Sequence, residues 1–149
     1  MSARTRYPDR LLLACSPFGP RLSGAAVARA LADGVQDGGL PDPDLCPLPS
    51  LEDKEAVRRV LEELDFDARM RAARAVVVAV ARLEERTLAG SVTFEIATRA
   101  RQGGIPAYAV TGDNLLEAFD ARILDLQLIV QARGRSALVS AGRRLAGIV

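Results

Sequence analysis

Residues 75–81 form the most apolar run of the chain, Ala-Val-Val-Val-Ala-Val-Ala. Four of these seven residues are β-branched and none is charged, which is typical of a strand in a parallel sheet covered on both faces. The run is much shorter than the roughly 20 apolar residues that span a bilayer. The chain is therefore expected to fold around a buried parallel sheet.

Strand-like and helix-like segments alternate along the rest of the chain. Strands are predicted at residues 11–15, 45–48, 75–81, 106–111 and 126–131. The first helix is predicted at residues 24–33, with Ser23 as its N-cap and Gly34 just past its end. The second begins at a capping box formed by Ser50 and Asp53 and runs through residue 64. Further helices are predicted at residues 65–73, 88–102, 115–121 and 136–148. This alternation requires right-handed βαβ crossovers. The predicted fold class is α/β: a Rossmann-like, doubly wound, mostly parallel five-stranded sheet with helices on both faces.

The length of 149 residues is ordinary for one domain. We expect a single α/β domain over residues 1–149, with residues 1–9 as an N-terminal tail and residues 37–44 as a surface linker rich in Gly and Pro. The apolar stretch after the tail ends at Ser16-Pro17, which is too short for a signal peptide. A cytoplasmic location, with no membrane association, is expected.

Composition excludes several classes of chemistry. The chain has no His, so His-based acid–base catalysis and His-ligated metals are ruled out. A net charge of +1 and six aromatic residues (four Phe and two Tyr) give no nucleic-acid signature. The two cysteines, Cys15 and Cys46, cannot build a zinc site alone and are expected to be buried, reduced thiols. No metal site is predicted.

Ligands of such sheets bind beyond the carboxyl ends of the strands, near the point where the strand order reverses. The predicted loops there carry Ser16, Phe18 and Gly19, then Arg82, then Thr111, Asp113 and Asn114, and finally Arg133. Arg82 is the best candidate because its planar fork suits a carboxylate or phosphate. The alternative for Arg82 is an ion pair with Glu84, Glu85 or a neighbouring loop, and the alternative for Ser16, Asp113 and Asn114 is helix or turn capping.

The predicted ligand-binding set is accordingly Ser16, Arg21, Arg82, Thr111, Asp113 and Asn114. None of these residues has a complete phosphate-binding sequence around it. A Walker A loop needs a Lys after its last Gly, but the only lysine, Lys54, lies in a predicted amphipathic helix. The first loop also lacks the three glycines of a dinucleotide site.

Two segments resemble the bacterial glycerate kinase family. Residues 14–34 resemble that family's opening segment, sharing Ala14, Phe18, Leu22, Ser23, Val27, Ala28 and Gly34 without a gap. Residues 74–112 resemble a later segment, in which an apolar strand leads into Thr-Gly-Glu-Gly-Arg-Leu-Asp and then Thr-Leu-x-Gly-Lys. Arg82, Leu83, Thr87, Leu88 and Gly90 keep that spacing, followed by Gly104-Ile105-Pro106.

The chain departs from the family pattern at its charged positions. The Asp and Lys of the opening segment are replaced by Ser16 and Gly19, and Gly-Glu-Gly is replaced by residues 79–81. The later Asp and Lys are replaced by Glu84 and Ser91. Few charges remain to hold Mg²⁺ or to stabilise a transferred phosphoryl group. The family also inserts a second domain between the two segments, which are separated here by residues 35–73 alone.

The resemblance therefore implies a truncated, degenerate family member. The leading hypothesis is a catalytically inactive binding or interaction module without a cofactor, in which homodimerisation covers the surface left by the missing domain. The alternative is an enzyme for a small carboxylate or phosphate, or a kinase using ATP and Mg²⁺, with a reduced site at Ser16, Arg21, Arg82 and Asp113. The hypotheses differ in whether those side chains converge on one pocket.

Overall fold

The computed structural model describes residues 9–84 and 90–149. This part of the chain contains one five-stranded sheet in the order β2-β1-β3-β4-β5, and every strand pair is parallel. The strands are β1 (Leu11–Cys15), β2 (Asp44–Pro47), β3 (Ala75–Leu83), β4 (Ala107–Asn114) and β5 (Ile129–Gln131). The predicted α/β class is confirmed.

Helices cover both faces of this sheet. They are α1 (Gly24–Asp37), α2 (Lys54–Glu63), α3 (Phe66–Arg71), α4 (Val92–Gly103), α5 (Ala118–Leu124) and α6 (Gly134–Ala146). Helices α1 and α6 pack together on one face, and α2, α3 and α4 pack on the other. None of the described helices is long and apolar enough to cross a bilayer.

The core consists of two apolar clusters, one on each side of the sheet. Along β3, Val77 and Ala79 pack toward α1 and α6, whereas Val76 and Val78 pack toward α2, α3 and α4. Successive side chains of a strand point to opposite faces, so a strand buried on both faces must be apolar throughout. This is the physical reason for the uncharged run in the sequence.

Helix α1 is longer than predicted. Gly34 was expected just past its end but lies inside it, and α1 continues to Asp37. The glycine is required by packing, because a Cβ at this position would collide with the carbonyl oxygen of Val139 in α6. The connection to β2 is consequently residues 38–43 rather than 37–44. Of the predicted N-terminal tail, residues 1–8 lie outside the described residues.

Strands β3 and β4 also extend beyond their predicted ends. Residues 112–114 were expected to form a turn, but Asp113 pairs with Arg82 and Asn114 with Leu83. Gly112 allows this, because a Cβ there would lie 2.8 Å from the carbonyl oxygen of Ala81. Arg82 is therefore the penultimate residue of β3, not the first residue of the following loop.

Several other element bounds differ from the predictions. Helix α2 begins at Lys54 with Asp53 as its N-cap, so Ser50 is not the cap. Helix α4 begins at Val92, and the predicted start at residue 88 lies outside the described residues. Helices α5 and α6 run over 118–124 and 134–146, not 115–121 and 136–148, and β2 and β5 run over 44–47 and 129–131. These differences move ends of elements and leave their order unchanged.

Candidate functional site

The strand order reverses between β1 and β3. From β1 the chain crosses to β2 on one side, whereas β3, β4 and β5 follow on the other. Loops that leave the carboxyl ends of two such strands separate in opposite directions, and the crevice between them is the usual ligand site of an open parallel sheet. Here that crevice lies beyond Cys15 of β1 and Leu83 of β3.

A cavity of about 760 Å³ lies at this crevice, and we call it the switch-point groove. Its walls are residues 16–17 after β1, residues 50–54 at the start of α2, residues 80–84 at the end of β3 and residues 90–94 at the start of α4. Two strand ends and two helix beginnings thus meet in one concave surface. The volume is in the range of small-molecule sites in proteins.

Both helices begin with a side-chain cap at the groove. The Asp53 carboxylate accepts the backbone N–H of Ala56 at 2.8 Å, and the Ser91 hydroxyl accepts that of Phe94 at 3.0 Å. Each cap satisfies one of several N–H groups that a helix leaves free at its start. The positive ends of both helix dipoles are therefore directed at the groove, where they favour an anion.

Arg82 is the exposed cation of the groove. Its guanidinium makes no hydrogen bond or ion pair with any residue that the structure describes. The alternative of an ion pair with Glu84 is therefore not realised, and Glu85 lies outside the described residues. Lys54, the only lysine of the chain, lines the groove from the first turn of α2.

Thr93 lines the same groove. The residue is 2% exposed, and within residues 9–84 and 90–149 its hydroxyl has no hydrogen-bond partner. Buried hydroxyl groups are normally hydrogen-bonded, and an unsatisfied one costs about 1–3 kcal/mol. Thr93 is thus a polar group available to a ligand oxygen.

A second cavity, of about 470 Å³, lies beside the first and shares only Ala81 with it. We call it the arginine pocket, and its lining residues are Phe18, Gly19, Arg21, Leu22, Ala81, Gly112, Asp113, Arg133, Gly134 and Arg135. The loop after β1, the end of β4 and the start of α6 form its walls. Arg133 donates from Nε to the carbonyl oxygen of Gly112 at 3.0 Å and also pairs with Asp113.

The structure divides the predicted ligand-binding residues. Ser16 and Arg82 line the switch-point groove, whereas Arg21 and Asp113 line the arginine pocket. They do not converge on one pocket. Thr111 and Asn114 line neither cavity.

Thr111 and Asn114 have structural contacts at the end of β4. The buried Thr111 hydroxyl donates to the carbonyl oxygen of Asp113 at 3.1 Å. The Asn114 side-chain oxygen accepts the N–H of Leu116 at 3.2 Å, which is the turn-capping role considered as its alternative. Both contacts fix the strand end that carries Asp113.

Lys54 and Thr93 were missed as groove residues by the sequence reasoning. Lys54 was assigned to the interior of a helix, because the start of α2 was placed at Ser50. Recognising Asp53 as the N-cap would have placed Lys54 in the first turn, next to the strand ends. No local signal could have identified Thr93, since its burial depends on packing of α4 against β3.

Comparisons with known proteins connect the chain to one family. The model of the glycerate kinase family matches residues 48–133. This span contains the resembling segment 74–112, whereas segment 14–34 lies outside it. No curated protein matches the chain.

Two solved structures are similar in fold. A pilus assembly-related protein from Burkholderia pseudomallei superposes with a TM-score of 0.52 at 18% identity, covering 97% of this chain and 96% of that chain. A response regulator receiver domain from Rhodospirillum rubrum gives a TM-score of 0.48 at 13% identity, covering 91% and 90%. The first likeness shows a shared α/β fold.

Proposed function

Because the chain belongs to the glycerate kinase family, we propose that it is a catalytically inactive binding module of that family. Its ligand is a small carboxylate or phosphate held in the switch-point groove. The observation that carries the proposal is the exposed Arg82 guanidinium, which has no partner among the described residues and faces a groove where two helices begin. A charge-assisted, bidentate contact to an oxyanion is the interaction for which such a group is suited.

The cations and the helix starts of the groove favour an anionic ligand, although the carboxylates of Glu52, Asp53 and Glu84 also line it. Lys54 adds a second cation, and the starts of α2 and α4 add two positive dipole ends. The Thr93 hydroxyl would gain the hydrogen bond that it lacks among the described residues. Ser16, at the opposite wall, can donate a further hydrogen bond.

Catalytic inactivity is supported by the residues that replace the family's charged positions. Ser16 and Gly19 stand where the family has Asp and Lys, and apolar residues of β3 stand where it has Gly-Glu-Gly. The Asp53 carboxylate is engaged as a helix cap. Phosphoryl transfer depends mainly on charges that stabilise the transferred group, and these positions supply none.

The proposal is tested by thermal unfolding in the presence of D-glycerate, 2-phosphoglycerate, other small carboxylates and phosphates, ADP and Mg·ATP. A ligand at a hundred times its Kd should raise the Tm by roughly 5–10 °C. Loss of one charged hydrogen-bond partner costs about 1.5–3 kcal/mol, so Arg82→Gln should weaken binding about 10- to 100-fold. Arg29→Gln, an exposed arginine on α1 without a described partner, is the matched control and should leave binding unchanged.

Two results would contradict the proposal. If the ligand raises the Tm of Arg82→Gln and of the unaltered protein equally, the ligand does not bind in the groove. Phosphorylation of glycerate by the protein with Mg·ATP would show a kinase rather than a binding module. In that case the alternative hypothesis, an enzyme with a smaller set of site residues, would replace the proposal.

We also propose that the protein is a homodimer. Leu115, Phe119 and Ile123 are 56%, 70% and 46% exposed. Phe119 and Ile123 lie one turn apart on α5, and Leu115 lies three residues before the start of that helix. We call these three exposed side chains the apolar row. A second copy would cover the apolar row, because a two-fold pairing places the same surface of both copies in contact.

A cytoplasmic location is part of the proposal. Cys15 and Cys46 are both buried and unpaired, which suits a reducing compartment. Their side chains pack into different core clusters on the two faces of the sheet. This placement on opposite faces disfavours a disulfide between them.

A further inference from the structure

The arginine pocket is separate from the groove that the proposed function uses. Its walls come from the loop after β1, the end of β4 and the loop between β5 and α6, and neither α2 nor α4 contributes to it. The two cavities have only Ala81 in common. A ligand in this pocket would therefore be contacted by a different set of side chains.

The pocket has an excess of positive charge. Three guanidinium groups line it, those of Arg21, Arg133 and Arg135, against the single carboxylate of Asp113. The remainder of its lining is glycine or apolar. An anion entering the pocket would compete with Asp113 for Arg133 and with Asp33 of α1 for Arg135.

Two of the three arginines are held in place by the fold. Arg133 is fixed by its bond to the Gly112 carbonyl and by its pairing with Asp113, which together use two of its five N–H donors. Arg135 is held by Asp33 of α1 at 3.3 Å. Because Arg133 keeps three donors free, its anchoring positions it for a further oxyanion.

Arg21 is the unanchored member. It is exposed, and its guanidinium has no hydrogen bond or ion pair with the part of the chain that the structure describes. In the segment that resembles the glycerate kinase family, this position follows Gly19, where the family has its loop Lys. Arg21 lies two residues after Gly19 and lines the second pocket.

The opposite wall of the pocket is apolar. Phe18 and Leu22 are half-buried, pack against the core beneath α1 and α6, and line the cavity. The glycines at 19 and 134 have φ of +85° and +78°, and a Cβ on either would meet open space. The pocket therefore presents a cationic side and an apolar side to the same volume.

We propose that the arginine pocket is a second ligand site, which binds an organic anion with an apolar body. The carboxylate or phosphate of the ligand contacts Arg21 and Arg133, and its apolar part packs on Phe18 and Leu22. Inorganic phosphate contacts only the arginines of the pocket, so it binds more weakly than an organic anion with an apolar body. The site does not depend on the proposed function of the switch-point groove, since it uses none of that groove's polar side chains.

The experiment uses phenyl phosphate and phenylacetate as probes, inorganic phosphate as the anion without an apolar body, and benzyl alcohol as the apolar body without an anion. Binding to the full chain is followed by amide chemical shifts in solution. At least one aromatic anion should bind about tenfold more tightly than inorganic phosphate and than benzyl alcohol. The perturbed amides should be those of Gly19, Gly112 and Gly134, and those of Gly90 and Ser91 should not move.

Substitutions of single arginines show which guanidinium contacts the aromatic anion. Arg21→Gln removes no hydrogen bond or ion pair among the described residues, so it should fold normally and weaken binding of the aromatic anion at least about tenfold. Arg29→Gln and Arg82→Gln should each leave that affinity within about twofold. Loss of binding in Arg82→Gln would instead place the probe in the switch-point groove and overturn the inference.

Other outcomes also overturn it. Equal affinity for phenyl phosphate, phenylacetate and inorganic phosphate would show that the apolar wall is not part of a site. Unchanged affinity in Arg21→Gln, or no binding of either aromatic anion at about 10 mM, would also overturn the inference. Binding of only one of the two aromatic anions supports the site and defines its anionic group.

Discussion

Burial controls the chemistry of Cys15 and Cys46. Both thiols are fully buried, Cys15 at the carboxyl end of β1 and Cys46 in the adjacent strand β2. Burial raises the pKa of both thiols above the ordinary value of 9.0, and for Cys15 the nearby Cys46 raises it further. Both cysteines therefore remain protonated, and poor nucleophiles, in the folded protein.

Because of these pKa shifts, the free energy of unfolding should change with pH in the alkaline range. Above the ordinary thiol pKa of 9.0 the unfolded chain loses thiol protons that the folded chain keeps. The folded state then binds more protons, so the thiol contribution to the free energy of unfolding should be constant below this pH and fall as pH rises above it. Urea unfolding between about pH 7 and pH 10 measures this fall.

The variant Cys15→Ala/Cys46→Ala is the control for the thiol contribution. Its free energy of unfolding should be lower at neutral pH, because two buried sulfurs are lost, but should fall less between the same pH values. Equal falls in both proteins would show that other groups cause the pH dependence.

Arg69 connects a helix to the edge of the sheet. Its guanidinium donates to both carboxylate oxygens of Asp44 at 2.8 and 3.0 Å and to the carbonyl oxygen of Leu45 at 2.8 Å. The hydrogen bond to Asp44 is the main reason that the pKa of Arg69 is raised. The contact holds α3 against the short strand β2, which pairs on one side only.

Helices α1 and α6 approach each other closely through glycines. Gly34 of α1 faces the backbone of Val139, and Gly142 of α6 faces the backbone of Leu31. A Cβ on either glycine would collide with a carbonyl oxygen of the other helix. The contact replaces side-chain packing with backbone packing, which explains why glycine is present despite its low helix propensity.

Gly142→Ala should therefore destabilise the protein. Alanine favours helix formation by about 1 kcal/mol, but the collision with Leu31 forces the helices apart and costs more, typically about 1–3 kcal/mol or beyond. Gly147→Ala is the control, since its Cβ would meet only an ordinary contact at 3.5 Å. Urea unfolding should show a clear loss for the first variant and little change for the second. A stabilised Gly142→Ala would contradict the close helix contact.

The apolar row is the surface of the proposed homodimer. Phe119 lies at its centre and is 70% exposed, although aromatic side chains of this size are usually covered in a monomer. The row is on the same side of the sheet as α4, with which α5 is in contact. None of the residues of the apolar row lines the switch-point groove or the arginine pocket.

Phe119→Asp should dissociate the proposed homodimer. A central aromatic anchor contributes about 2 kcal/mol or more to an interface, which is roughly a thirtyfold change in Kd. Sedimentation at tens of micromolar should show a dimer for the unaltered protein and a monomer for the variant. Ile148→Asp, an exposed apolar residue outside the row, is the control and should remain a dimer. A monomer for the unaltered protein would exclude the homodimer.

The sequence by itself determined the fold class and the family. The β-branched run at residues 75–81 predicts a strand buried on both faces, and Ser23 does cap α1 by accepting the N–H of Ala26. These features depend on local apolar pattern and on side chains three or four residues apart, which a sequence displays directly. The family match over residues 48–133 confirms the resemblance read from the segment 74–112.

Only the tertiary structure decided which polar residues share a cavity. The carboxyl ends of β1, β3 and β4 lie at one edge, yet Ser16 and Arg82 open onto one cavity and Arg21 and Asp113 onto another. The division arises because the groove is walled by α2 and α4 and the pocket by the start of α6, which pack on opposite faces of the sheet. Which helix covers which face follows from long-range packing, as the glycine contacts of α1 with α6 illustrate. Sequence distance does not encode that packing, so the single site expected from strand ends becomes two cavities in the folded protein.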